Sequence, residues 1–93
     1  MDMVRRWTGH ESRALRQAMR LSVRDFSAKL GVATRTVTKW EAEGLRAHLR
    51  PDSHALLDTA YHHADDRVKT RFAALLTEEQ ARHVAEDIAS EPN

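Results

Sequence analysis

Residues 21–41 read LSVRDFSAKLGVATRTVTKWE, and this stretch decides the fold. Phe26, Leu30, Val37 and Trp40 place apolar anchors at helical spacing on either side of Gly31. Ser22 stands at an N-cap position with Asp25 three residues on, a shortened capping box. Gly31 follows the last apolar residue of the first helix, where a left-handed residue without a Cβ closes a helix at no steric cost. Val32 plugs the corner, and Ala33 or Thr34 opens a second helix. A restart after so few residues requires a sharp crossing angle, the geometry of a helix-turn-helix. The second helix presents Thr34, Arg35, Thr38 and Lys39, which are all hydrogen-bond donors and include no acid.

Composition sets the class around this motif. The chain has 93 residues, three Gly, two Pro and no Cys. That length supports one domain with a modest core. Abundant Ala, Leu, Arg and Glu with few helix breakers point to an all-α protein. Without cysteine, disulfides, thiolate metal sites and cysteine nucleophiles are excluded. No apolar run has the length of a signal or membrane-spanning segment, which leads to the expectation of a cytoplasmic protein.

A net charge of +1 hides a strong asymmetry. Residues 1–50 carry eleven Lys/Arg against five Asp/Glu, whereas residues 51–93 carry four against nine. The basic half contains the helix-turn-helix, as expected if one end faces phosphates and the other is kept off the polyanion.

Reading outward, residues 1–7 are expected to form a mobile tail carrying Arg5 and Arg6, with Trp7 packing back as a staple. Thr8 and Glu11 make a capping box for a first helix over about 9–19, with Ala14, Leu15, Ala18 and Met19 inward. The second and third helices end near 42–44. Residues 45–51, LRAHLRP, form a loop with two arginines and a histidine. A fourth helix starts at 51–53 and turns Leu56, Leu57, Ala60 and Ala64 inward, with Asp52 at its positive end. A fifth, over about 66–76, is amphipathic through Val68, Phe72, Leu75 and Leu76. Residues 77–80, TEEQ, read as a capping box for a sixth helix presenting Ala81, Val84, Ala85 and Ile88, unless the fifth and sixth run on as one. Residues 90–93 are expected to fray.

Over residues 11–64 the chain resembles Cro/repressor-type (Xre-like) helix-turn-helix domains. The resemblance rests on Phe26-Ser27, Gly31, Val37 and Trp40-Glu41-Ala42-Glu43-Gly44, against a family pattern of Leu-Ala, a turn Gly, Ile/Val and Trp-Glu-x-Gly. Residues 7–32 further resemble the N-terminal DNA-binding domains of actinobacterial regulators. Ser27 replaces the usual Ala at a close helix approach, and the 45–51 loop is longer than in the family.

The resemblance implies a lambda-repressor-like bundle of five to six short helices. It also implies a double-stranded DNA partner and a role in transcription regulation, by family habit as a repressor. Its third helix, 33–43, would enter the major groove. Carried over by position, Thr34, Arg35, Thr38 and Lys39 would read bases, with Arg35 able to grip the O6/N7 edge of guanine. Ser22, Arg24, Thr36, Arg46 and Arg50 would hold phosphates. Glu41 would pair with Arg16 or Arg20, and Trp40 belongs to the core.

Residues 8–64 would thus be the DNA-binding domain and 65–89 an acidic helical extension. That extension has three readings: more monomer core, a two-fold dimer interface spacing two recognition helices by ~34 Å, or a dock for another protein. Residues 90–93 would be a tail or the start of a linker to a further domain. The rival function is a protein-interaction module, antitoxin-like or a regulator subunit, acting through the acidic helices. His54, Asp58 and His62 share a helix face at i, i+4, i+8 without a fourth ligand, so neither a metal nor a cofactor is expected. No strained nucleophile turn frames any Ser/His/Asp set, so no enzyme is expected either.

Overall fold

The computed structural model describes the backbone of residues 6–90, and the side chains of that range except at 83 and 87–90. The expectations for Arg5, Ile88 and residues 91–93 lie outside the described residues. Among the described residues there are five α-helices: α1 Gly9–Ala18, α2 Val23–Leu30, α3 Thr34–Glu43, α4 Pro51–His63 and α5 Asp66–Ser90. A 3-10 turn, Gly44–Arg46, follows α3. The fold is an all-helical bundle, as composition requires.

Local chemistry sets the helix ends. Thr8 and Glu11 form the full capping box: the Thr8 Oγ1 accepts from His10 N, and Glu11 Oε1 accepts from Thr8 N at 2.8 Å. The Thr8 hydroxyl also donates to Glu11 Oε1. Ser22 Oγ accepts from Asp25 N at 3.0 Å, but the Asp25 carboxylate does not return the bond, being one methylene shorter than Glu. Gly31 is left-handed at φ 80°, and Val32 N donates back to Ser27 O at 3.0 Å to close α2. Pro51 occupies the first turn of α4, where no N–H is needed. Asp65 Oδ1 accepts from Val68 N at 3.0 Å and so starts α5.

The end of α1 lacks a glycine. Arg20 takes the left-handed position itself at φ 58°, with Leu21 N donating to Arg16 O and Arg20 N to Gln17 O. Two side chains hold this exit. Arg71 Nε donates to Ala18 O at 2.8 Å, and Arg16 Nη1 donates to Leu21 O at 3.0 Å. Both satisfy carbonyls in a region with no helical partner for them.

The core joins Leu15 and Ala18 of α1, Phe26 and Leu30 of α2, Val37 and Trp40 of α3, Leu57 and Tyr61 of α4, and Phe72 of α5. Fully burying each large apolar side chain contributes on the order of 1.5–3 kcal/mol. Trp7 is buried at 1% exposure and belongs to the core. Its ring meets Tyr61 and Phe72 at centroid distances of 6.5 and 5.8 Å, and its Nε1 donates to Asp58 Oδ1 at 2.6 Å. One N-terminal residue thereby ties α4 to α5. Gly9 lies so close to the end of α3 that a Cβ built there would fall 1.6 Å from Trp40 O. The capping box and the α3 terminus are therefore packed backbone to backbone.

One alternative left open by the sequence is decided, and the inward placement of Leu56 is corrected. Residues 66–90 form one helix: Thr77 Oγ1 donates to Ala73 O at 3.0 Å inside α5 rather than capping a sixth. No Gly or Pro interrupts this span, so propagation continues through the local cap signal. Leu56 remains 39% exposed, while Tyr61 takes the inward place one turn after Leu57. Met19 and Ala60 face inward as expected, partly buried and packed against the core, and Ala64 is partly buried as well.

Helix α5 divides in function. Phe72 is buried and Val68, Leu75 and Leu76 pack against the core, which makes 66–76 core extension. Beyond it, Val84 is 53% exposed.

Candidate nucleic-acid interface

Helix α3 is held from behind and open in front. Val37 and Trp40 are buried, whereas Thr34, Arg35, Thr38 and Lys39 are all exposed. The orientation is locked at its far end by Glu41. Arg16 Nε donates to Glu41 Oε2 at 2.7 Å and Arg16 Nη2 to Oε1 at 3.0 Å, a two-pronged bond from α1 to α3. Of the two partners expected for Glu41, the structure pairs it with Arg16 and not with Arg20, whose backbone forms the α1 exit. Both side chains are largely shielded from water, at 16% and 14% exposure, which strengthens a charged pair relative to a surface one.

The start of α3 has no side-chain cap, because Ala33 has no oxygen to offer. Among the described residues, the N–H groups of Thr34 and Arg35 consequently have no partner. They add to the positive end of the helix dipole and suit an approaching anion. Thr38 Oγ1 donates to Thr34 O at 3.1 Å, which turns its methyl group and oxygen lone pairs outward. The Arg35 and Lys39 cations form no ion pair among the described residues.

A cleft of about 550 Å³ runs along this helix, lined by Arg35, Thr36, Lys39, Trp40, Glu43, His48, Arg50 and Ser53. It brings together four of the residues expected to face DNA: Arg35, Thr36, Lys39 and Arg50. Glu43 is the one carboxylate in its lining. Arg50 lies 3.9 Å from Asp52 with both side chains mostly in water, a weak pair that leaves the guanidinium available.

The path of the 45–51 loop makes this cleft. Ala47 is buried at 1% and anchors the chain after the 3-10 turn, so His48 and Arg50 swing toward α3. Sequence reasoning missed His48 and Ser53. Arg6 is a further addition, since its Nη2 lies 3.3 Å from His48 Nδ1 and brings the N-terminal side to the same edge. Nothing in the local pattern marks these residues, because the loop that gathers them has no periodicity.

Other expected residues fall elsewhere. Arg46 lies in a separate recess with Glu41, Glu43 and Glu79, away from Arg50. Ser22 and Arg24 are exposed at the start of α2 and do not line the cleft. There the Ser22 oxygen is used by Asp25 N, while the N–H groups of Val23 and Arg24 have no partner among the described residues. The His54/Asp58/His62 face is not a ligand set: Asp58 accepts the Trp7 indole, and no group of three His, Asp or Glu among the described residues is placed to hold a metal ion.

No described helix is long and apolar enough to cross a membrane. Comparison with protein-family models, with curated proteins and with solved structures returns no significant match.

Proposed function

We propose that this chain is a sequence-specific double-stranded DNA-binding regulator of transcription, acting without catalysis in the bacterial cytoplasm. The observation that supports it is the exposed face of α3. Arg35 and Lys39, without ion-pair partners among the described residues, share a cleft with Arg50 and His48, and the start of the same helix has no side-chain cap. A helix of ten residues presented ahead of a small bundle fits the width of a major groove. In this reading Arg35 and Lys39 reach base edges, and Thr34 and Thr38 contact methyl groups or phosphates. Arg24, Arg50 and the free N–H groups of α2 hold the strands on either side. Repression is the direction of regulation we adopt.

The test is selection of bound sequences from a random duplex pool at moderate salt. Recovery of one motif containing a guanine is the expected result. Retention without enrichment leaves only a phosphate binder, and no retention removes the reading.

A second reading is favoured by the exposure of Val84 on the distal part of α5, where Glu78, Glu79 and Glu86 surround it in sequence. There the helix would pair with a second copy or with another protein, such as a toxin or the remainder of a longer regulator. A palindromic motif from the same selection supports the paired form.

A further inference from the structure

On the side of α2 near the end that precedes Gly31, a groove of about 430 Å³ opens between the ends of α1 and α2, α4 and the start of α5. Its floor is apolar: Met19, Leu30, Leu56, Ala60 and Val68. Leu56, 39% exposed despite its apolar side chain, lines this gap between α2 and α4. Four polar side chains edge it, Lys29, Thr59, His63 and Asp65, of which Thr59 carries no charge.

The charges of this edge are unequal in availability. Asp65 is committed to the start of α5, where its Oδ1 accepts from Val68 N and its charge is balanced by the helix dipole. Lys29 and His63 have no hydrogen-bond or ion-pair partner among the described residues. An apolar floor with one unpaired ammonium and one imidazole at its lip is complementary to a molecule with an apolar body and one anionic head. Its volume lies within the range of about 300–1,000 Å³ that accommodates small organic ligands. A protein partner needs a patch of about 800 Å² on each side, far larger than these few side chains offer.

We infer that this groove binds a small amphipathic organic anion, a medium-chain or aryl carboxylate. Its alkyl or aryl part lies on Leu30, Leu56, Ala60 and Val68, and its carboxylate meets Lys29. The site is separate from the α3 face and does not rest on the DNA-binding reading.

Titration of the full chain with octanoate, below its micelle concentration and followed by amide NMR shifts, tests this. The expected result is a saturable response confined to Lys29, Leu30, Leu56, Ala60 and Val68. Lys29→Gln should weaken octanoate by roughly two- to fivefold, as for one exposed charge pair, and leave 1-octanol unaffected. Ala60→Phe should fill the groove and abolish binding, and Leu56→Asp, at an already exposed position, serves if that variant does not fold. Equal affinity for octanol and octanoate in the parent chain overturns the anionic assignment. Shifts centred on Arg35, Lys39 and Arg50, or a response that does not saturate, overturn the site itself.

Discussion

Among single residues, Arg35 carries most of the proposed function. It is exposed near the start of α3 and lines one cleft with Lys39 and Arg50, the arrangement on which its proposed base-reading role rests. Arg35→Ala should cost ~1–3 kcal/mol on the preferred sequence and relax selectivity at one base position, as measured by competition binding. A uniform loss across all sequences would falsify the base-reading role and leave a phosphate contact. Arg20 tests a structural statement instead. It holds φ 58°, a conformation that is unfavourable for a residue with a Cβ. Arg20→Gly should stabilise the fold by about 0.5–1 kcal/mol, the left-handed cost less the extra entropy of glycine in the unfolded chain. A lower melting temperature for that variant would mean that the Arg20 side chain contributes more than its backbone costs. Both residues are plain in the sequence. Arg35 was legible because the turn beside it has a pattern, whereas the strain at Arg20 was not, because no glycine marks that turn.

Between elements, the junction of α1 with α3 is the most sensitive point. A methyl group on Gly9 would collide with Trp40 O, which is backbone and cannot rotate away. Gly9→Ala should therefore destabilise by about 3 kcal/mol, at the upper end of overpacking costs, and urea unfolding would register it. A near-neutral effect would show that the two termini can separate freely. Helix α5 is expected to behave in the opposite way. Truncation after Gln80 removes residues that contribute no core side chain among those described, while Phe72, Leu75 and Leu76 remain. The truncated chain should keep a cooperative melt within a few degrees of the parent, since ~1 kcal/mol shifts a domain of this size by about 4–8 °C. Collapse of the transition would reassign the distal helix to the core. The continuity of α5 was open in the sequence because Thr77 satisfies two rules at once. It can cap a new helix or bond back within an existing one, and only neighbouring packing chooses.

For the whole molecule, charge separation and the gathering of distant residues dominate. The basic half holds α1–α3 and the loop to Arg50, and the acidic half holds all of α4 and α5. Binding to duplex DNA should therefore fall steeply with salt. Arg24→Ala and Arg50→Ala should each flatten the logarithmic slope by about one unit while weakening all sequences alike. An unchanged slope for Arg50→Ala would take the cleft out of the phosphate contacts.

Residues 21–41 determined the helix-turn-helix by themselves, since a left-handed glycine between two amphipathic runs permits few other paths. The core positions Phe26, Leu30, Val37 and Trp40 followed from periodicity, and the capping box at Thr8 from local chemistry. Tertiary structure alone decided the burial of Trp7 and Ala47, the choice of Arg16 for Glu41, and the meeting of Arg6, His48 and Arg50 beside α3. It also decided the gap between α2 and α4. The reason is physical: helix periodicity and capping act over three or four residues, whereas these contacts depend on how rigid helices of fixed length pack together.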